Sequence, residues 1–199
     1  RAPSAEAGST IETAELDFIY TTKTANHRTP MREENMGNTI DNLKAAFAGE
    51  SQANRTYLAF AKKADEEGYP QAARLFRAAA EAETVHAHNH LNVLGGVKST
   101  LENLKAAFEG EHHEFTSMYP EFLDQAKKEG NNDAFRTFYW ANEVEKIHGN
   151  LYKNAIDALK SSKNAPYYVC QRCGYTAEEH APDKCPVCGA SKADFKKID

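Results

Sequence analysis

Glu50 and the pair Glu83-x-x-His86 recur as Glu111 and Glu145-x-x-His148, displaced by 61 residues for the lone glutamates and 62 for the pairs. Residues three apart on a helix project to the same side, so each Glu-x-x-His aims a carboxylate and an imidazole at one point. One glutamate from each of two helices, with Glu-x-x-His from each of two more, is the donor set of a di-iron or di-manganese centre inside a helical bundle. Glu114, three residues after Glu111, faces the same way. Five carboxylates buried together repel one another, and the apolar stripes that carry them hold no lysine or arginine. Two divalent or trivalent cations resolve that conflict. Oxygen-rich donors with two imidazoles suit iron or manganese, with zinc a competitor. A single Glu-x-x-His carries little weight, since Glu109-x-x-His112 is another and falls off the repeat. Two copies in register do not read as scattered surface acids. His88, His90, His112 and His113 read as surface or outer residues rather than ligands.

Cys170-x-x-Cys173 and Cys185-x-x-Cys188 are two knuckles, each followed by a glycine, Gly174 or Gly189. A Cys-x-x-Cys turn lets two thiolates reach one metal, and the glycine relaxes the turn for amide-to-sulfur contacts. Four thiolates imply a tetrahedral zinc or iron site. Zinc would make a structural ribbon. Iron would make a one-electron centre, which has a purpose beside a di-iron oxidase site. Residues 167–199 are too few to fold on apolar burial alone, so the metal must hold them. The spacing favours a metal over disulfides and with it a reducing interior.

Four helices must position these groups. The stops are Gly68 with Pro70, then Gly95-Gly96, then Gly130, then Asn164 to Pro166. They delimit helices over about 39–67, 70–94, 100–129 and 132–161, with Thr39 and Thr100 as candidate N-caps. Segments 39–50 and 100–111 share nine of twelve residues, so the first helical hairpin is duplicated as the second. Apolar stripes at steps of three and four run through the acids. They are Ile40, Leu43, Phe47, Glu50, Asn54, Tyr57 and Ala61; then Ala72, Leu75, Ala79, Glu83, His86 and His90. In the second hairpin they are Leu101, Leu104, Phe108, Glu111, Phe115, Met118 and Phe122; then Phe135, Phe138, Ala141, Glu145, His148, Tyr152, Ala155 and Leu159. Tyr57 and Tyr119 return to the metal-facing side, seven and eight residues after Glu50 and Glu111. Each reads equally as a core tyrosine or as a phenol hydrogen-bonded to a ligand carboxylate.

The 199 residues are 27% charged with a net charge of −5. That allows one core of moderate size plus a small appendage, and gives a nucleic acid no electrostatic footing. No apolar run approaches the roughly 20 residues of a membrane helix. Residues 1–35 read as a disordered lead-in without the apolar region of a secretory signal. Lys23, Arg28 and Arg32 suit a targeting segment, whereas Glu6, Glu12, Glu15 and Asp17 argue against a transit peptide. The expected division is 1–35 lead-in, 36–163 helical di-metal domain and 164–199 four-cysteine domain. The expected location is the cytoplasm, with an organelle left open by the extension.

With both sites in view, residues 36–199 resemble the rubrerythrin family. The motifs are AGESQA around Glu50, EGEHHEFTSMYPEF around Glu111 and Glu114, the two Glu-x-x-His pairs, CxxCGY and CPxCG. The resemblance implies an all-α, ferritin-like four-helix bundle followed by a small rubredoxin-like β domain. It implies that Glu83 and Glu145 bridge two irons, with Glu50 and Glu111 as terminal ligands. His148 would hold one iron, while the other exchanges between His86 and Glu114 with redox state. Tyr57 and Tyr119 match the family's site tyrosines. Cys170, Cys173, Cys185 and Cys188 match its mononuclear iron ligands, giving three irons per chain equivalent. The implied activity is reduction of hydrogen peroxide to water against oxidative stress. Its electrons would come from an external donor such as a rubredoxin or an NAD(P)H-dependent reductase. A ferritin-type ferroxidase is the alternative, and the cysteine site counts against it because storage needs no electron input. A third reading is a binding module, a zinc ribbon on a structural bundle.

The link between the hairpins sets a further expectation. A ferritin-like bundle needs a connection running its length, roughly 40 Å for these helices. Residues 95–99 reach about 18 Å fully extended. The bundle is then a simple up-down arrangement or, the favoured expectation, a swapped homodimer in which one chain's first hairpin meets the second hairpin of another.

Overall fold

The computed structural model describes residues 38–161 and 164–199, so the lead-in read over 1–35 lies outside the described residues. Helix α1 spans Thr39–Glu66 and α2 spans Pro70–Val93. Gly68, at φ 81°, turns the chain between them, and Pro70 opens α2, where its missing N–H is no loss. Gly95, at φ 66°, follows the end of α2. Helix α3, Thr100–His113, is capped by Ser99 rather than Thr100. The Ser99 hydroxyl accepts the Glu102 amide at 3.4 Å, and the Glu102 carboxylate accepts the Ser99 amide at 3.3 Å. A glutamate three residues beyond a serine is the signal that places this cap. Thr39 likewise is the first helical residue of α1.

The expected third helix is not uniform. Its α-helical turns are interrupted by a π-helical turn at Glu114–Met118, after which α4 runs Tyr119–Glu129 to Gly130 at φ 68°. Helix α5, Asn132–Asp157, is capped by Asn131, whose side-chain oxygen accepts the Ala134 amide at 3.0 Å. It ends four residues short of the expected 161, in a turn.

Helix α1 packs along α2, and α3 and α4 pack along α5; no helix of the first hairpin packs along a helix of the second. The four helices of the expectation are therefore present as two hairpins. The face closed inside the first hairpin is lined with alanines, Ala61, Ala64, Ala73, Ala80 and Ala87. Small residues let two helices approach closely but leave the flanking large side chains uncovered. Several positions of the expected inward stripes are exposed instead, among them Ile40, Leu75, Leu101, Phe122, Phe135 and Leu159. Leu75 is 68% exposed while Phe76 packs on Tyr57 and Phe60. Phe122 is 40% exposed while Leu123 and Ala126 turn inward beyond the π turn.

The C-terminal residues form a three-stranded antiparallel sheet of order β2-β1-β3, with β1 Tyr167–Cys170, β2 Thr176–Glu178 and β3 Phe195–Ile198. Its small core is Cys170, Cys185 and Ala190, with Tyr175 against Phe195. Among the described residues, no helix is long and apolar enough to cross a membrane.

Candidate metal centres

The first hairpin brings Glu50 of α1 to Glu83 and His86 of α2, with donor atoms within 4.8 Å of one another. His86 Nδ1 lies 2.8 Å from Glu83 Oε2. One turn beyond Glu50, Asn54 Nδ2 donates to the Ala80 carbonyl at 2.6 Å and to Thr84 Oγ1 at 2.8 Å. This bond pins α1 to α2 beside the acids. Glu50 and Glu83 are half-buried and His86 is exposed.

The second hairpin repeats the triad with Glu111 of α3 and Glu145 and His148 of α5, again within 4.8 Å. His148 Nδ1 lies 2.7 Å from Glu145 Oε2 and 3.9 Å from Glu111 Oε1. Burial, a hydrogen bond shared with Glu145 and the Glu145 charge push the Glu111 carboxyl up to about 7. Burial also presses Glu145 upward, but hydrogen bonds from His148 and Glu111 and the His148 charge outweigh it and hold Glu145 below the usual carboxylate range. The Glu145 hydrogen bond raises His148 above its ordinary value, against desolvation. The crowding that raises Glu111 is what a cation between the two carboxylates and Nδ1 would relieve, so the donor set fits a metal.

Glu114 starts the π turn, and burial followed by the Glu145 charge raises its carboxyl. It faces the second triad without joining its cluster of donor atoms. Tyr119 stands beside the same acids: burial, then Glu114, Glu145 and Glu111, raise its phenol, so the hydroxyl keeps its proton. Tyr57 packs in a ring cluster with Phe60 and Phe76, as Tyr119 does with Phe122 and Phe138. The seven expected donors are therefore not one cluster within one chain. Glu50, Glu83 and His86 form one group; Glu111, Glu145 and His148 form another, with Glu114 at its edge. His88, His90, His112 and His113 belong to neither, and His112 sits between the rings of Phe108 and Phe115.

The four cysteine sulfurs gather within 4.8 Å. Cys170 and Cys188 Sγ are 3.7 Å apart, Cys173 and Cys185 Sγ 3.5 Å. A tetrahedron with metal–sulfur bonds of about 2.3 Å has edges of about 3.8 Å, whereas a disulfide needs about 2.05 Å. Gly174 and Gly189, at φ 86° and 73°, turn the knuckles, and their amides donate to Cys170 and Cys185 carbonyls at 2.9 Å. Burial raises the Cys173 thiol, while amide hydrogen bonds from Cys188 and Val187 outweigh burial at Cys185 and lower it.

Three further residues complete the picture. Thr176 of β2 sits 2.9 Å from His148 Nε2, joining the sheet to the second triad. Gly149 lets Phe115 approach α5, since a Cβ there would lie 3.3 Å from its ring. Tyr152, one turn beyond His148, lines an open cavity of about 360 Å³ with Leu104, His148 and Thr176. No sequence motif marks Thr176 or Gly149, because each acts through a tertiary contact. Tyr152 lay on the predicted stripe without a chemical role.

Helical hairpins carrying Glu, Glu-x-x-His half-sites, joined to a four-cysteine knuckle pair, define a carboxylate-bundle protein with a rubredoxin-like appendage. The rubrerythrin family model matches residues 41–156, and the model for the rubrerythrin, rubredoxin-like domain matches residues 168–196. The chain belongs to the rubrerythrin family. It is 37% identical over 175 residues to Rubrerythrin-2 of Clostridium acetobutylicum, covering 79% of this chain and 95% of that one. It is 35% identical over 174 residues to nigerythrin of Nitratidesulfovibrio vulgaris, covering 80% of this chain and 86% of that one. The structure of fully reduced, all-ferrous nigerythrin covers 85% of this chain and 91% of its own, at 33% identity and a TM-score of 0.51.

Proposed function

We propose that this chain is a non-haem di-iron peroxidase that reduces hydrogen peroxide to water, with electrons arriving through an iron held by Cys170, Cys173, Cys185 and Cys188. The observation that carries this reading is the pairing of two in-register Glu, Glu, His half-sites with a four-thiol domain that reaches one of them through Thr176. Each turnover takes one peroxide, two electrons and two protons to two waters. A pair of ferrous ions held by the carboxylates and imidazoles would supply both electrons without releasing a radical. In this reading Glu83 and Glu145 would be shared between the two irons, Glu50 and Glu111 would each serve one of them, and His86, Glu114 and His148 would be the remaining ligands. Tyr119 holds its phenolic proton beside the carboxylates, where it can donate a hydrogen bond to an oxygen at the site; Tyr57 is its repeat partner. A ferritin-type ferroxidase accounts for the helices but leaves the knuckles without a purpose. The external donor is a rubredoxin or an NAD(P)H-dependent reductase, and the four-thiol site is where it delivers electrons. Residues 36–163 act as the di-iron domain and 164–199 as the relay, in a reducing compartment such as the cytoplasm.

The complete site then needs two copies of the chain. The six residues 94–99 join the hairpins, the hairpins do not pack on each other, and large apolar side chains such as Leu75 and Phe122 stay uncovered. In a swapped homodimer, the Glu50, Glu83, His86 face of one copy closes on the Glu111, Glu114, Glu145, His148 face of the other.

The test is stopped-flow absorbance of the anaerobically reduced, iron-loaded protein mixed with peroxide. Rapid reoxidation of the thiolate-iron band, much faster than with air and lost in Glu83→Ala, supports the reading. Reoxidation by air alone supports the ferroxidase, and no visible band supports a zinc ribbon.

A further inference from the structure

His148 is held from both ends of its ring. Nδ1 faces the carboxylates, 2.7 Å from Glu145 Oε2, and Nε2 faces the β domain, 2.9 Å from Thr176 Oγ1. The Thr176 hydroxyl donates onward to the Gly174 carbonyl at 3.1 Å. A hydroxyl has one hydrogen to give. With that hydrogen directed at Gly174, Thr176 accepts from His148, so Nε2 carries a proton, and Nδ1, which meets Glu145 here, is the ring nitrogen that would address a cation. Gly174 follows Cys173 directly, and a Cβ on it would lie 3.6 Å from Val144 Cγ1, one residue before Glu145. The first half-site lacks this arrangement. His86 is exposed and, among the described residues, only its Nδ1 is hydrogen-bonded, to Glu83.

We propose that Thr176 is a positioning residue for His148, and that the chain His148–Thr176–Gly174 couples the second half-site to the Cys170–Cys173 knuckle of the same chain. Thr176 makes His148 the anchored imidazole of the di-metal site and leaves His86 the unanchored one. With iron bound, Cys170, Cys173, Cys185 and Cys188 would hold the one-electron donor and the carboxylate site its acceptor, so each electron lost by the first (ferrous to ferric) would be gained by the second (ferric to ferrous). No bond forms or breaks at Thr176, whose proton stays on the hydroxyl. The electron-transfer half rests on the peroxidase reading; the positioning half does not.

Thr176→Val removes the hydroxyl at nearly constant shape, and Thr176→Ser keeps it. In the zinc-loaded full chain, the His148 Nε2–H proton is expected to exchange slowly in the wild type and in T176S, and to be lost to solvent exchange in T176V. Zinc affinity of the carboxylate site is expected to fall about tenfold in T176V and to recover in T176S. With iron, an unchanged thiolate-iron spectrum shows that the β domain is intact, and transfer from that centre is expected to slow about tenfold in T176V. Wild-type exchange and affinity in T176V overturn the positioning role. Weakened affinity with a wild-type transfer rate overturns the coupling. A wild-type protein that peroxide does not reoxidise sinks the peroxidase reading, while the exchange and affinity measurements still decide the role of Thr176.

Discussion

Tyr119 stands eight residues beyond Glu111, one more than separates Tyr57 from Glu50, and the π-helical turn Glu114–Met118 houses the extra residue. Before the turn the repeat offset is 61, as from Glu50 to Glu111; after it the offset is 62, from Phe60 to Phe122 and Ala64 to Ala126. The ring clusters on the far side therefore match. Phe60 lies 5.5 Å from Phe76, and Phe122 lies 5.5 Å from Phe138. The inserted residue breaks the duplication at the point where Glu114 meets the second half-site. Such turns are rare and recur at functional sites.

Deleting the exposed Thr116 is expected to restore a continuous α-helix with the aromatic cluster still in register. The thermal midpoint of the metal-free protein should stay within about 4 °C of wild type. Metal loading should fall, because Glu114 loses its orientation. Calorimetry with metal analysis checks this; full loading in the deletion variant would deny the turn a part in the site.

The raised Glu111 carboxyl sets a pH dependence. Its folded value, about 7, lies above the ordinary 4.5, so the folded chain holds this proton more tightly than the unfolded chain. The resulting stability is fully present below 4.5 and is lost as pH rises through about 7. His148, also raised, acts in the same direction above its ordinary 6.5. Glu145, lowered, acts oppositely and loses its contribution as pH falls below 4.5. In Glu111→Gln the decline between pH 5 and 8 should flatten, read by urea unfolding of metal-free protein. An equal slope in both proteins would contradict the raised Glu111 carboxyl.

Gly149 is expected to tolerate little. A valine there must displace the Phe115 ring and crowd Glu111 Cβ, 3.9 Å from the position of a Cβ. Overpacking of this kind costs about 1–3 kcal/mol. Gly149→Ala should be closer to neutral, because better helix propensity, worth about 1 kcal/mol, offsets a smaller crowding. Chemical denaturation of both variants measures the difference.

Cys185→Ser should abolish the thiolate-metal band and unfold the sheet while leaving the helices. Hydrogen exchange is expected to show lost protection over residues 167–198 and wild-type protection in α1, α2 and α5. Protection of the sheet without metal would show that its small core suffices.

Much of this was legible in the sequence because it is local or periodic. The helix stops at Gly68, Gly95 and Gly130, the two Glu-x-x-His pairs and the cysteine knuckles need only spacing rules. The short 95–99 link foreshadowed hairpins that do not pack on each other. The π turn was written in the offset change from 61 to 62, but it shows only when positions before and after Glu114 are compared. The cap at Ser99 lost to its neighbour Thr100 because both residues can cap and only the glutamate at 102 distinguishes them. The Thr176–His148 contact spans 28 residues and joins two domains, so no periodicity encodes it. Leu75 read as inward because a four-helix stripe is wider than the alanine seam that closes one hairpin.

In the proposed reading half-sites from two copies unite to reduce peroxide, and mixing two inactive variants tests it. Glu83→Ala spoils the first hairpin's half-site and Glu145→Ala the second's. In a swapped heterodimer one site receives both defects and the other receives none. Co-refolding equal amounts gives heterodimers in about half of the pairs, and so about a quarter of the wild-type amplitude of peroxide-driven reoxidation, from statistical pairing of a swapped dimer. Recovery near that level is the expected result; no recovery above the separate variants would contradict a site shared between chains.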